Sequence, residues 1–150
     1  MISVQTEDFD HSEQYKALRA SANSDGAIVT FTGLVRDFND DGGVSSIFIE
    51  HYPEMTKKSL QKICQTAKRR WALGQVHIIH RIGLLAASEQ IVFVGVTSKH
   101  RHSAFSGAEF IMDYLKVSAP FWKQEGTSDG MKWVASKASD DKAMDRWQHK

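Results

Sequence analysis

Apolar and polar positions change period along the chain, and the changes mark alternating strands and helices. Ile2 to Glu7 alternates with a period of two, as a short strand does. His11 to Ala22 sets Tyr15, Leu18 and Ala22 on one side of a helix, and Asp25-Gly26 is a turn signal. Gly26 to Arg36 is apolar on both faces, which predicts a strand buried on two sides. Phe38 to Gly43 reads as a loop, and Ser46 to Tyr52 as a second alternating strand. Pro53, with its fixed φ, then opens a helix. Leu60, Ile63, Cys64, Ala67 and Trp71 form its apolar face, with lysines and glutamines off that face, and Leu73-Gly74 ends it.

Gln75 to Ile82 and Gln90 to Ser98 predict two further strands, joined by GLLAASEQ as a hairpin connection. Ala104, Phe105, Ala108, Ile111, Met112 and Leu115 form the stripe of a third helix. Pro120 stops it, because the residue before a proline avoids helical dihedrals. Phe121 to Gln124 and Met131 to Ala135 form a closing strand pair around the turn TSDG. The charged tail from Ser136 reads as a loose helix ending near Trp147. The order β-α-β-β-α-β-β-α-β-β predicts a single α+β layer domain over residues 1–150, with a mostly antiparallel or mixed sheet.

Composition narrows the function classes. A chain of 150 residues with 41% apolar and 25% charged residues can bury a core without covalent staples. A formal charge of +1 argues against broad nucleic-acid binding, which needs a basic stripe. Cys64 is the sole cysteine, so no disulfide or CxxC pair exists within the chain, and on an apolar helix face it packs as a small hydrophobe. MISVQTEDFD lacks the basic and apolar regions of a signal peptide, and no apolar run approaches a membrane span. The cytosol is the expected location. The seven histidines form no recognised metal motif, and His77 and His80, three apart on a strand, face opposite sides. No metal or cofactor is expected. GxSxG, P-loop and GxGxxG patterns are absent.

Candidate chemistry concentrates in Lys99 to Glu125, KHRHSAFSGAEFIMDYLKVSAPFWKQE. His100 and Arg101 sit between a strand end and a helix start, where backbone N–H groups and the helix dipole favour anions. An arginine there can hold phosphate in a bidentate fork. Arg36 also ends an apolar strand. Lys116 lies at the edge of the third helix's stripe, on a flank with Glu109 and Asp113. It is either an exposed lysine with a helical ion-pair partner or a desolvated lysine able to act as base or nucleophile. Lys123 shares a strand face with Phe121, an aromatic and a cation that together suit a planar anionic ligand. Taken singly, each residue is explained as well or better by surface charge.

Taken in order, TFTGLVR (30–36), EHYPEMT (50–56), HRIG (80–83), IVFVGVTSKHR (91–101) and FIMDYLKVSAPFWK (110–123) resemble the large, catalytic subunit of molybdopterin synthase. The likeness runs from about Asp25 to Trp133. It implies an α/β hammerhead-type core with additional antiparallel β-strands. It implies transfer of sulfur to cyclic pyranopterin monophosphate (precursor Z), forming the dithiolene of molybdopterin. The sulfur donor it implies is a thiocarboxylate on the Gly-Gly C-terminus of a small, ubiquitin-like partner. The implied assembly is a homodimer within a heterotetramer. Lys116 and Lys123 match the family's two lysines and become the expected catalytic residues. Leu34, Val35, Arg36, His100, Arg101, Lys116, Lys123, Gln124 and Glu125 become the expected substrate-binding set. Where some members carry a lysine after the glycine of the TGxVR motif, this chain has Leu34, so a side-chain anion contact is lost there. A non-catalytic phosphate-binding or scaffold module would keep the arginines but need neither lysine.

Overall fold

The computed structural model describes residues 1–36, 46–119, 121–127, 130–134 and 138–148. The loop expected over 38–43, the helix-stopping Pro120 and the tip of the TSDG turn lie outside these residues. The described chain runs β1 (Ile2–Gln5), α1 (His11–Ala20), β2 (Ala27–Leu34), β3 (Ser46–His51), α2 (Pro53–Trp71), β4 (Val76–Arg81), β5 (Gly83–Ala86), β6 (Gln90–Ser98), α3 (Arg101–Val117), β7 (Phe121–Thr127), β8 (Gly130–Val134) and α4 (Ala138–Asp145).

Two four-stranded sheets carry the α+β architecture. The first has the order β1-β4-β6-β2, with β1 parallel to β4 and the other pairs antiparallel. The second, β5-β3-β7-β8, is antiparallel throughout. Alternation sorts the side chains of the first sheet. Val76 and Ile78 of β4, with Val92, Val94 and Val96 of β6, pack under α2 and α3. Ile79 and Phe93 point the other way, to Leu18 of α1 and Phe9. Gly95 lets α1 lie close, since a Cβ there would run into Leu18 and the Phe93 ring. A third cluster, Val35, Ile49 and Leu85 with Phe121 against it, joins the second sheet to one end of the first.

The α2 expectation holds in detail: Leu60, Ile63, Cys64 and Ala67 are buried, and the helix ends at Ala72 in the left-handed conformation. Several expectations are corrected. β2 is not buried on two faces: it is an edge strand only partly covered, and Phe31 and Leu34 are 42% and 52% exposed. The segment expected to be a plain hairpin connection contains β5, which pairs with β3 in the second sheet. Of the expected α1 face only Leu18 is buried. Phe105 is exposed, whereas Phe110, outside the predicted stripe, is buried against Trp71, Tyr114 and Trp147. The tail is not loose. Trp147 is buried in the main core, with its ring edge-on to Trp71 and Phe110.

Candidate active site

Lys116 stands in the last turn of α3, where the negative end of the helix dipole favours a cation. It is exposed, not desolvated as the nucleophile reading required. Lys123 enters from β7, paired across the ladder with Ile49 of β3. Phe121, two residues earlier on the same face, pairs with His51. Ile49 is buried in the cluster that Phe121 packs against, so this is the face of the second sheet turned towards the first.

The two lysines meet around a histidine that sequence spacing singles out only as a possible metal ligand. His80 lies on β4, on the α2/α3 face, and is 6% exposed. Its ring stacks on Phe121, with centroids 3.8 Å apart and planes 14° from parallel. Nδ1 is 2.8 Å from the Arg81 carbonyl. Burial pushes the imidazole down to about 3, and the nearby charges of Lys123, His51 and Lys116 push the same way. Lys116, Lys123, His51 and His80, drawn from α3, β7, β3 and β4, therefore form one polar corner with Phe121 as its aromatic wall. His51 Nδ1 is buried there and finds no hydrogen-bond partner among the described residues. The available signal was a histidine inside the otherwise fully buried strand VHIIHR.

Arg36 belongs to this end of the molecule, because it follows Val35, which packs with Ile49 and Leu85. Leu34 beside it is exposed. Val35 is 2% exposed, its N–H donates to Glu89 O and its carbonyl accepts from Ser88 N, so it anchors the strand end. Gln124 lies on the opposite face of β7 from Lys123. Glu125 pairs in register with Ile47 and Lys132; its side chain lies outside the described set.

His100 and Arg101 lie elsewhere. His100 is the N-cap of α3 and Arg101 its first residue, whereas Lys116 is in the last turn. At 1.5 Å per residue the helix separates Arg101 from Lys116 by about 22 Å. The two anion-binding strand ends are also remote, since β2 and β6 are antiparallel and Leu34 pairs with Gln90 while Ala27 pairs with Ser98. The Lys99–Glu125 stretch thus holds two separate candidate clusters. One is a lysine corner joined by Arg36. The other is a helix N-terminus with no side-chain cap, no acidic residue in its first turn, and two candidate anion-binding side chains.

Cys64 is buried on α2, and desolvation pushes its thiol up to about 11. It is not a poised nucleophile. No helix among the described residues is long and apolar enough to cross a membrane.

Residues 4–118 match the family model described as "MoaE protein". The molybdopterin synthase catalytic subunit of Vibrio cholerae serotype O1 is 51% identical over 147 residues, covering 98% of this chain and 97% of that protein. The subunit of the same name from Escherichia coli K12 is 51% identical over 146 residues, covering 97% of each. The solved structure of the molybdopterin biosynthesis MoaE protein from Burkholderia ambifaria superposes with a TM-score of 0.84 at 46% identity, covering 99% of this chain and 97% of that one.

Proposed function

The chain belongs to the MoaE protein family, and on that premise we propose that it is the catalytic subunit of a molybdopterin synthase. Its reaction moves sulfur from the thiocarboxylated Gly-Gly terminus of a small ubiquitin-like subunit onto precursor Z. The observation that carries this reading is the meeting of Lys116 and Lys123 around His80 from separate elements. Two ammonium groups beside an aromatic wall suit a planar substrate whose reaction develops negative charge. Lys116 engages the thiocarboxylate carbonyl and the intermediate. Lys123 stabilises the developing charge or assists proton transfer. Cys64, buried and held protonated, leaves the sulfur to come from the partner.

The substrate phosphate needs cations, and the chain offers them at both ends. Arg36 serves the lysine corner of its own chain. His100 and Arg101, about 22 Å away along α3, serve the corner of a second copy in the homodimer. Leu34, Gln124 and Glu125 border the same pocket, and Val35 holds its backbone. The whole chain acts as one catalytic domain, and the cytosol is its place of work.

Mixing the purified chain with a thiocarboxylated small subunit and precursor Z tests the assignment. Molybdopterin forms if it is right. Absence of product, under conditions where an established synthase works, rejects it.

A further inference from the structure

Core packing alone does not account for His80. A phenyl ring would fill the same space without the cost of desolvating two ring nitrogens. The structure instead spends two contacts on fixing this ring. The face lies flat on Phe121 at 3.8 Å. Nδ1 lies 2.8 Å from the carbonyl of Arg81, a residue itself pinned through its guanidinium to Thr6 O and Gln90 O. A carbonyl only accepts, so Nδ1 carries the hydrogen, and Nε2 of the neutral ring keeps its lone pair. The tautomer and tilt of the imidazole are both set by the fold.

The neighbours of that ring are cations. Lys123 lies on the same face of β7 as Phe121, two pairs along the β3–β7 ladder. Lys116 comes from the end of α3, and His51 sits opposite Phe121 with ring centroids 6.2 Å apart. A protonated imidazole here would repel both ammonium groups. A neutral one offers them an acceptor.

We propose that His80 is a positioning residue for the lysine pair, Lys123 above all: locked between Phe121 and the Arg81 carbonyl, it presents Nε2 as a fixed acceptor that holds the ammonium towards the substrate. The inference rests on the reading of Lys116 and Lys123 as the residues that act on the thiocarboxylate and the pterin. On that reading His80 acts through the lysines.

Three variants separate positioning from packing. His80→Phe keeps the ring and its stack but removes both nitrogens. His80→Asn keeps a donor for the Arg81 carbonyl and removes the acceptor. His80→Gln restores a polar atom near the reach of Nε2. With the reconstituted synthase, His80→Phe and His80→Asn are expected to lower kcat on the order of tenfold to a hundredfold, the scale for losing a partner that orients a functional group. KM for precursor Z and affinity for the small subunit stay near wild type, and His80→Gln recovers much of the lost kcat. Full kcat in His80→Phe overturns the proposal. Should His80→Phe not fold, His80→Asn and His80→Gln decide it: equal losses in both, tracking their melting temperatures, overturn it equally. Lys123→Ala is assayed alongside. If that variant is inactive while His80→Phe is active, only the role of His80 fails; if Lys123→Ala is fully active, the underlying reading fails.

Discussion

Asp113 accepts a 2.6 Å hydrogen bond from Nε1 of Trp147, 34 residues further along the chain. Arg146 donates to the same carboxylate at 2.9 Å and also pairs with Glu109. The two acids on the flank of α3 are therefore taken by the C-terminal segment. Among the described residues no carboxylate pairs with Lys116, which the helical spacing had offered to Asp113. The docked tail thus leaves the Lys116 ammonium for a ligand. It also closes the core, since the Trp147 ring packs on Trp71 and Phe110. Trp147→Ala should cost about 3–5 kcal/mol, the range for truncating a buried aromatic. Urea unfolding measures it, and a loss under about 1 kcal/mol would show that the tail adds little.

Sulfur supply from outside the chain makes a separate prediction. Cys64 is buried among Leu60, Ile63 and Ala67, with its thiol pushed up to about 11. Cys64→Ala should keep near wild-type sulfur transfer and lose only about 1 kcal/mol of stability, as for a small truncation in a core. Iodoacetamide at neutral pH should label the native chain far more slowly than the unfolded one. Loss of transfer in a folded Cys64→Ala protein would give the chain a sulfur role of its own.

The imidazole of His80 predicts how stability depends on pH. Unfolded, it takes a proton near 6.5; folded, only at about 3. Between those values the unfolded state binds one proton more, so stability falls as pH is lowered from 6.5 towards 3. From pH 7 to pH 5 this amounts to about 2 kcal/mol. His77 is shifted in the same direction by burial and is present in both proteins, so comparing wild type with His80→Phe isolates His80. The variant should lose about 2 kcal/mol less over that range in denaturant titrations. Parallel pH profiles would mean that His80 is protonated in the folded state.

Most elements were legible because their periods were clean. α2 shows this best, with Pro53 at its start and an unbroken face from Leu60 to Ala67. The misreadings share a cause: each depended on what covers a residue from elsewhere. Phe105 follows Ala104 by one position, near enough to the stripe to be counted, yet α3 turns it outward. Phe110 lay outside the stripe but is covered by Trp71 of α2 and Trp147 of the tail, contacts that no local window contains. β5 is four residues long and exists by pairing with β3. Arg36 and Arg101 read as equivalents, each ending an apolar strand. Antiparallel pairing of β2 with β6 sends those ends to opposite ends of the strand pair. His80 was visible as a histidine in a buried strand, but its stack with Phe121 joins two sheets and appears only in three dimensions.

The proposed site is built on Lys116 and Lys123 and is completed by Arg101 of another copy. Lys116 is exposed, so Lys116→Ala should change stability by no more than about 0.5 kcal/mol while abolishing transfer. Arg101→Ala, also exposed, should behave alike. The decisive measurement is the activity of hybrid dimers, purified through two different tags, that pair one Lys116→Ala chain with one Arg101→Ala chain. If sites are shared across the dimer, one site collects both substitutions and the other has none, so the hybrid should show about half of wild-type activity although both parents are inactive. Hybrids as inactive as their parents would contradict the shared site.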